Sequence, residues 1–481
     1  MINTKTNTKT NTKLILLIII LLIILWLSRI KSKSSFGNTY SFIRDNVDTP
    51  YSFKPIDKPL KVKYKKCNYL KLQNTLDAIF TKYKFDRINE ESDNWDLYIL
   101  CGYNYAETEL KKINITHPNQ KVYAIKGCDK IASKNELWKI VRNFYGNEKA
   151  AELIPESFII NDPRDIKMFK KRFNKDNLYL LKKNIQRKEG ILITKDYDRI
   201  LKIIDKTKKD IRNFYNPYNF DANTDLEDYY KGITNKNTKE KENTNRNQKN
   251  NNTKNNNVKE EEDLNKNQKI NSLINNYKII QLYVDNLFLI KKRKCNLRLY
   301  LLIVCNKGDK KGYLYNQGKC IYTNKDFNNS KDKTTTTTTI DKQEHLTSYL
   351  LDQDIYKTHP ESFDDLKLFL GANKFNCLWN QINILFVNIM AAIHSKICNS
   401  KKLNNILTFQ LFGADVIFTK NLHPYLLEFN KGPSMKYMND RDKMMKLKLT
   451  EDVFKKVNII PFEKGEKSNF NEIKIKNYKN F

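Results

Sequence analysis

The sequence predicts a mixed α+β fold, on the strength of three local patterns. Two apolar, strand-like runs joined by a polar turn lie between Phe409 and Met435. A second pair of apolar runs flanks a basic turn between Leu178 and Ile193. The segment Asn94–Asn104, NWDLYILCGYN, is typical of a core strand followed by a turn. We expect this segment to open a smaller N-terminal α/β lobe ahead of a larger domain.

An apolar segment near the N-terminus predicts a membrane anchor. Leu14–Leu27 is an unbroken apolar run with lysines on both sides, so flanking charge does not fix its orientation. A helix of this length would rise only about 21 Å, whereas a hydrocarbon core is ~30 Å thick, so its flanks would have to contribute. A cleaved signal peptide is the alternative, but no clear small-residue cleavage site follows.

Composition divides the whole chain into segments. In chain order we expect a polar tail at 1–13, a single transmembrane helix at 14–29, a stalk at 30–66, the N-terminal lobe at 67–150, the larger domain at 151–437, and a charged C-terminal tail at 438–481. Two low-complexity insertions, 235–268 and 328–339, interrupt the larger domain. They contain almost no apolar residues and cannot bury enough surface to fold, so we expect them to be surface loops.

The segment Leu178–Ile193, LYLLKKNIQRKEGILI, predicts a hairpin with a basic tip. Its turn contains Lys182 and several further cationic residues before Gly190. Positive side chains over a turn suit a triphosphate, and a glycine lets the backbone approach a ligand closely. An ordinary solvated hairpin in a lysine-rich protein is the alternative.

The run KCNLRLYLLIV predicts a strand that enters the core, because it alternates polar and apolar residues before becoming fully apolar. Lys294, Asn296 and Arg298 would share one face of this strand. A lysine and an arginine on one face suit a carboxylate or an acyl phosphate, which arginine can bind in bidentate fashion. The alternative is a half-exposed strand with a cationic outer face.

The segment between Phe409 and Met435 predicts a metal-nucleotide site. Glu428 and Asn430 are two residues apart in YLLEFN and would point the same way, and Asp415 can join them from the facing strand. Carboxylate and amide oxygens are hard ligands, and Mg²⁺ is typically held by one or two carboxylates together with nucleotide phosphates. The alternative is two edge strands whose polar residues face solvent.

Several motifs, taken together and in chain order, resemble the tubulin–tyrosine ligase-like family. They are ASKNELW, IPESFII, LYLLKKNIQRKEGILI, IIQLYVDNLFLIKKRKCNLRLYLLIV, YLYNQGKC, HLTS and FGADVIF…LLEFNKGPS. The resemblance covers most of residues 120 to 437. It implies an ATP-grasp catalytic domain that activates a carboxylate with ATP as an acyl phosphate, which an amine then attacks to form an amide bond.

The resemblance also implies roles for individual residues. Lys182 would contact the phosphates, and Asp415, Glu428 and Asn430 would hold Mg²⁺. Lys294 and Arg298 would lie near the γ-phosphate and the acceptor carboxylate. The backbone of Gln281, Leu282, Tyr283 and Val284 would form the hinge that binds adenine. Lys134, in ASKNELW, matches a family lysine that precedes a helix, although it can be read simply as a helix-start residue with Ser133 as the cap.

Three positions depart from the family pattern. Lys183 stands where many members have proline, a mild change because proline there would serve backbone rigidity. Asn296 stands where the family usually has aspartate. Ile321 stands where the family usually places an arginine that holds the acidic substrate, and Lys319 would replace it only if the local register changed. The last departure bears directly on which substrate binds and on whether ligation occurs.

The charge of the chain points to anionic partners. Its formal net charge is +33, and a strongly basic protein suits nucleic acid, anionic membrane or acidic protein. The basic residues do not form the aromatic-interleaved motif of a nucleic-acid module, so we expect no nucleic-acid partner. An acidic protein tail, such as that of tubulin, fits better as acceptor, with an amino acid as co-substrate.

The cysteines and histidines carry no metal or disulfide pattern. The eight cysteines show no paired spacing, so a reduced compartment is the simpler interpretation, and no Cys/His cluster has zinc-ligand spacing. ATP dependence favours a cytosolic catalytic domain on a single-pass membrane protein.

Three hypotheses follow from the sequence. The chain is a membrane-anchored ATP-dependent ligase, a degenerate relative that binds nucleotide or a partner without ligating, or a basic membrane-tethered scaffold. The predicted triad of Asp415, Glu428 and Asn430 favours the ligase over the scaffold, because a scaffold does not need metal ligands. Ile321 keeps the hypothesis of a degenerate relative open.

Overall fold

The computed structural model describes residues 60–64, 70–88, 92–100, 106–184, 190–214, 276–328, 340–347 and 351–475. All of these belong to one compact unit, Pro55–Phe481. The predicted polar tail, the predicted membrane helix, most of the predicted stalk, the insertion at 235–268 and nearly all of that at 328–339 lie outside the described residues.

The described residues form fifteen strands. They are β1 (Lys61–Tyr64), β2 (Asp86–Ile88), β3 (Leu97–Ile99), β4 (Lys121–Tyr123), β5 (Ser157–Ile159), β6 (Tyr179–Lys182), β7 (Ile191–Thr194), β8 (Ile279–Leu282), β9 (Leu289–Ile290), β10 (Arg293–Asn306), β11 (Asp309–Tyr315), β12 (Lys319–Tyr322), β13 (Leu407–Phe418), β14 (Pro424–Asn430) and β15 (Phe470–Ile473).

Eleven α-helices accompany them in the described part of the chain. They are α1 (Leu70–Lys82), α2 (Ala106–Lys112), α3 (Cys128–Ala132), α4 (Lys134–Tyr145), α5 (Asn147–Leu153), α6 (Pro163–Arg172), α7 (Tyr197–Phe214), α8 (Lys342–His345), α9 (Phe363–Leu370), α10 (Ala372–Ile393) and α11 (Asp440–Lys456). Short 3₁₀ turns occupy Gln353–Lys357 and His394–Lys396.

Most strands belong to one large sheet with the order β15-β11-β10-β13-β4-β3-β1-β2, to which β9, β12 and β14 add at the sides. Its N-terminal strands pair in parallel with one another, those from β10 onward pair antiparallel with one another, and β4 joins the two groups by pairing in parallel with β13. Since β4 pairs with β13, the predicted N-terminal α/β lobe continues the main sheet across the expected boundary at 150. The mixed α and β architecture predicted from the sequence is confirmed.

The long strand β10 explains how the large sheet carries both a core and a polar site. Leu297, Leu299 and Leu301 point to one face and pack in the core that includes α10. Tyr300 and Leu302 point to the other face and pack against residues of α1 and α11. Because side chains alternate along a strand, Lys294, Asn296 and Arg298 lie on this second face, where the apolar core ends.

A second, smaller sheet has the order β5-β8-β6-β7. The predicted hairpin forms it in part, since β6 and β7 pair antiparallel with Lys182 opposite Ile191. Helices α6 and α7 cover one face through Ile166, Phe169, Ile200 and Ile204. The other face joins an apolar cluster with Ile417 of β13, so apolar side chains of the two sheets meet there.

The C-terminal region corrects the predicted boundary at 437. Asp440–Lys456 is a helix whose Leu449, Val453 and Phe454 are fully buried against the large sheet, and β15 pairs with β11. The segment is rich in charge, yet its apolar residues recur with helical spacing, a signal that the overall charge obscures. It belongs to the folded domain and is not a tail.

The predicted stalk also extends too far. Lys61–Tyr64 forms β1, which lies between β2 and β3, and Val62 is fully buried. The sequence KVKY contains only one buried aliphatic residue among lysines, which is why composition assigned it to the stalk.

Two further observations concern membrane spans and cysteines. Among the described residues, one helix, Ala372–Lys396, has the length and apolar composition to cross a membrane, and half of its most apolar window is buried within the protein. Cys305, at the end of β10, and Cys398, after α10, form a disulfide in the structure with their Cα atoms 6.2 Å apart. This pairing differs from the expectation of unpaired cysteines, because a separation of 93 residues leaves no local spacing signal.

Candidate functional site

A row of four charged residues crosses the large sheet. Lys319 of β12 lies opposite Arg298 of β10, Arg298 lies opposite Asp415 of β13, and Asp415 lies opposite Glu428 of β14. Directly opposed residues share a face and bring their side chains together. We call these four residues the charged row.

Arg298 and Asp415 form a bidentate ion pair at the centre of the charged row. The Nε–Oδ1 distance is 2.6 Å and the second guanidinium nitrogen lies 3.1 Å from Oδ2. Burial raises the pKa of the Asp415 carboxyl and the nearby Glu428 raises it further, in opposition to Arg298. Gly413 leaves room for this ion pair because it has no Cβ atom. A Cβ atom at this position would lie only 3.3 Å from Cδ of Arg298.

Glu428 receives its counter-charge from helix α4. The Nζ of Lys134, the first residue of the helix, lies 2.9 Å from Glu428 Oε2. Burial opposes ionisation, but Lys134, Lys182 and Arg298 together hold the pKa of Glu428 below its usual value. Lys134 is therefore more than a helix-start residue, and Ser133, although at the N-cap position, makes no side-chain capping hydrogen bond.

Asn430 completes the predicted triad from the same strand. It pairs with Gly413, two residues from Glu428, and its side-chain amide lowers the pKa of the Asp415 carboxyl. The structure therefore brings all three predicted metal ligands together. Asp415 is 14 % exposed and Glu428 is 28 % exposed, and both contact cationic side chains rather than projecting into solvent from edge strands.

Lys182 approaches the triad from the small sheet. It is the last residue of β6 and is buried, and its Nζ lies 2.5 Å from Oε1 of Gln281 on the neighbouring strand β8. Burial and the charge of Lys134 lower the pKa of Lys182 to about 8, against the opposing effect of Glu428 and Asp415. Lys183 is described by the structure, whereas the predicted basic tip at 186–188 lies outside the described residues.

Lys294 is held by an aromatic residue. Its Nζ lies 3.3 Å from the hydroxyl of Tyr283 and 4.7 Å from the centre of that ring. Burial lowers the pKa of Lys294 to about 7, and the charge of Lys182 contributes. Both Lys294 and Asn296 are only 8 % exposed, so the alternative of a solvent-facing cationic strand is wrong.

The predicted adenine hinge lies beside a cavity. The backbone amides of Leu282 and Tyr283 donate to carbonyls of the protein, and Gln281 lies inside the four-stranded sheet. From Tyr283 onward the segment borders a cavity of about 280 Å³, lined mainly by apolar residues that include Leu178, Val284 and Phe327. Such a lining suits the flat face of a purine.

The residues at the Ile321 departure have neutral surroundings. Ile321 lies directly opposite Asn296, whose Nδ2 is 2.9 Å from the hydroxyl oxygen of Thr347. Lys319 does not take the position of Ile321. It faces Arg298 instead, and its Nζ lies 2.9 Å from Glu361 and 3.5 Å from Asp442 of α11.

The residues of the triad fit a divalent cation. Two carboxylates and one amide are hard oxygen donors of the kind that Mg²⁺ takes. Asp415 and Glu428 lie close enough for the charge of Glu428 to raise the pKa of Asp415, a repulsion that a cation between them would relieve. Around them stand Lys134, Lys182 and Arg298, and Lys294 lies beyond Lys182. These cations outnumber the two carboxylates, so the site as a whole attracts a polyanion such as a triphosphate.

Comparison with known sequences decides the family. A sequence model of the tubulin-tyrosine ligase family matches residues 113–467 of the chain. The chain belongs to the tubulin-tyrosine ligase family. The matched region of this family member ends within the segment after α11, in agreement with the corrected domain boundary.

Individual relatives are more distant. The chain is 27 % identical over 187 residues to a Bos taurus protein named probable tubulin polyglutamylase TTLL9, a match that covers 37 % of each chain. It is 25 % identical over 189 residues to a Tetrahymena thermophila protein named probable alpha-tubulin polyglutamylase Ttll1, covering 37 % of this chain and 42 % of the relative. A Tetrahymena thermophila protein named tubulin glycylase 3D is 26 % identical over 194 residues, with 17 % of its length covered. The chain thus spans less than half the length of these relatives.

Some site residues were missed by sequence reasoning. Glu361 and Asp442, which pair with Lys319, come from the loop before α9 and from α11, and the latter was assigned to the tail. His345 was noted only as part of HLTS, yet it bonds the Tyr283 hydroxyl. No spacing rule links positions so far apart in the chain.

Proposed function

We propose that this protein is an ATP-dependent ligase that joins an amino acid to a protein carboxylate through an acyl phosphate. The observation that carries the proposal is the charged row with its two flanking lysines. Arg298, Asp415 and Glu428 come from three adjacent strands and meet Lys134 and Lys182 from a helix and a second sheet. This arrangement suits phosphoryl transfer, which depends mainly on positioning and charge neutralisation.

Each predicted residue has a role in this scheme. Lys182 and Lys134 bind phosphate oxygens, and the segment Gln281, Leu282, Tyr283 and Val284 borders the base beside the 280 Å³ cavity. Asp415, Glu428 and Asn430 would hold Mg²⁺, which when bound neutralises charge that develops on the phosphates. Lys294 and Arg298 stabilise the transferring group and orient the acceptor carboxylate.

The chemical steps balance without a further reagent. The acceptor carboxylate oxygen attacks the γ-phosphorus, the bond to the ADP oxygen breaks, and an acyl phosphate forms. The amine of the amino acid then attacks the acyl carbon, inorganic phosphate leaves, and the amine proton passes to solvent or to a basic group. Arg298 can follow the carboxylate through both steps because its guanidinium binds either anion.

The acceptor is proposed to be an acidic protein tail, on tubulin or another protein. Relatives named tubulin polyglutamylase and tubulin glycylase support this choice of substrate class. The formal charge of +33 is consistent with it, since a basic protein attracts acidic segments over long range.

We further propose that the domain has the ATP-grasp fold and that a single N-terminal helix at 14–29 anchors it, with the catalytic domain in the cytosol. Two sheets that face a common apolar cluster, with phosphate-binding lysine candidates on each side, support the fold. The apolar run Leu14–Leu27 supports the anchor.

A second candidate is a nucleotide-binding or partner-binding protein that has lost ligation. One observation favours it, namely the uncharged pair formed by Asn296 and Ile321 at the place where the family resemblance expects charge. In that case ATP binding would remain, because the charged row and its lysines do not depend on this pair.

The deciding experiment measures MgATP binding by calorimetry and ligation on the same full-length protein. Ligation is followed as transfer of radiolabelled glutamate, glycine or tyrosine to an acidic peptide. Binding with transfer supports the ligase, and binding without transfer of any amino acid supports the second candidate. A folded protein that does not bind MgATP contradicts the ligase and the nucleotide-binding form of the second candidate, and leaves only its partner-binding form.

A further inference from the structure

Tyr283 connects Lys294 to a histidine that the proposed mechanism does not use. Its hydroxyl lies 3.3 Å from Nζ of Lys294 and 3.0 Å from Nδ1 of His345. Tyr283 and His345 are 4 % and 1 % exposed, so neither contact exchanges freely with water. The three residues come from β10, the end of β8 and helix α8, and so tie three separate segments together.

The chemistry of the groups fixes the direction of these hydrogen bonds. A lysine ammonium has donors and no acceptor, so the Tyr283 oxygen accepts from Lys294. The single hydroxyl proton of Tyr283 is then donated to Nδ1 of His345. This direction corresponds to a neutral His345 with its proton on Nε2, the form in which Nδ1 accepts a hydrogen bond.

The surroundings of His345 favour this neutral form. Burial lowers the pKa of His345 to about 4, the charge of Lys294 lowers it as well, and Asp341 acts in the opposite direction. The ring of Phe327 packs edge-on against the imidazole at 5.1 Å between centres. The imidazole is thus held as a fixed acceptor aimed at Tyr283.

Tyr283 also borders the 280 Å³ cavity, so it lies between the proposed base site and Lys294. We propose that His345 is a positioning residue: it orients the Tyr283 hydroxyl, which in turn holds the Lys294 ammonium toward the phosphates of a nucleotide seated in that cavity. This inference rests on the proposed function, because it assumes that a nucleotide occupies the site.

A double-mutant cycle in the full-length protein tests this series of contacts from His345 through Tyr283 to Lys294, which we call the relay. Tyr283→Phe keeps the ring under Lys294 but removes the hydroxyl, and His345→Leu removes the acceptor. We expect each change to weaken MgATP binding by about tenfold, the value of one hydrogen bond to a charged group. We expect the double variant to bind MgATP no more weakly than either single variant, because both substitutions interrupt the same series of hydrogen bonds.

Two further arms separate positioning from general disruption. His345→Asn places an amide oxygen near the position of Nδ1 and should restore most of the MgATP affinity. AMP lacks the outer phosphates that Lys294 would reach, so its affinity should stay near the wild-type value in every variant. His394→Leu, at an exposed histidine outside the site, serves as the matched control.

The possible results are distinct. Losses that add in the double variant, equal losses for AMP and MgATP, or no rescue by His345→Asn in a protein of unchanged thermal stability would overturn the relay. If wild-type protein fails to bind MgATP, the proposed function itself fails and the inference falls with it. Normal MgATP binding by His345→Leu would overturn the relay alone.

Discussion

The charged row and the pair formed by Asn296 and Ile321 are neighbours on the same face of β10, yet they differ in chemistry. In the row, Arg298 meets Asp415 and Glu428 meets Lys134, so opposite charges are matched across strands and elements. Two residues along β10, the amide of Asn296 faces the aliphatic side chain of Ile321. Oδ1 of this buried amide has no hydrogen-bond partner among the described residues. The charged row therefore has its charges matched by opposite charges, whereas the adjacent pair of Asn296 and Ile321 contributes no charge of its own.

The contrast also joins two departures that the sequence presents separately. The family resemblance expects aspartate at 296 and arginine at 321, and the register places these positions directly opposite each other. Removing one partner of a buried ion pair is costly, but removing both leaves no unpaired charge. We therefore interpret Asn296 and Ile321 as one coupled change that leaves the charged row intact, a hypothesis that the double variant described below tests.

The largest effect is expected from a substitution in the charged row. Glu428→Gln removes a proposed metal ligand and the partner of Lys134, and should weaken MgATP binding by about hundredfold or more. Calorimetry with the exposed Glu472→Gln as control measures this. Retained affinity in a folded Glu428→Gln protein would remove the triad from the nucleotide site.

A pH series examines the two buried lysines of the site. The pKa values of Lys182 and Lys294 are lowered to about 8 and about 7, so both lose charge as the pH rises above neutrality. MgATP affinity should fall over this range. The unliganded protein should become more stable over the same range, because the unfolded chain, with lysine pKa values of 10.5, binds more protons there.

Lys294→Met provides the matched variant for that series. It should lower MgATP affinity about tenfold at neutral pH and make both pH trends shallower. Binding is followed by calorimetry and stability by denaturant unfolding. Unchanged slopes in both measurements would show that Lys294 is not the titrating group.

A smaller effect is expected from substitutions at the uncharged pair of Asn296 and Ile321. Ile321→Arg alone places a guanidinium opposite Asn296 with Lys294 nearby, so it should gain little in ligation of an acidic peptide. Asn296→Asp combined with Ile321→Arg should raise kcat/KM about tenfold above the single variant, because the new charges pair. Asn296→Asp by itself is the control. A full gain from Ile321→Arg alone would mean that the two positions act independently.

The mildest change perturbs the geometry of the charged row without removing a charge. In Gly413→Ala, the new Cβ would lie 3.1 Å from Cβ of Pro433 and 3.3 Å from Cδ of Arg298, so the guanidinium must shift slightly. We expect MgATP binding to fall by about two- to threefold, equivalent to well under 1 kcal/mol. Gly312→Ala, in the same sheet against the flexible Met390 side chain, is the control. Equal effects in both would indicate general sheet distortion.

The strands of the site were predictable, because each carries its own pattern. Alternation in KCNLRLYLLIV and the apolar runs around Asp415 and Glu428 predicted β10, β13 and β14, and the structure forms all three. The fold of residues 438–475, within the predicted tail at 438–481, was not predictable in the same way. The many charges of this segment suggested a tail, although its buried face is set by a few residues such as Phe454.

The sequence by itself determined the strand-forming segments, the polar triad and the family, because these reside in local patterns and in the order of motifs along the chain. Only the tertiary structure decided which side chains contact one another. It placed Lys319 opposite Arg298 and Ile321 opposite Asn296, brought Lys134 to Glu428, and joined His345 to Tyr283. Strand register and the packing of helices on sheets fix such contacts, and they act between residues that are tens to hundreds of positions apart.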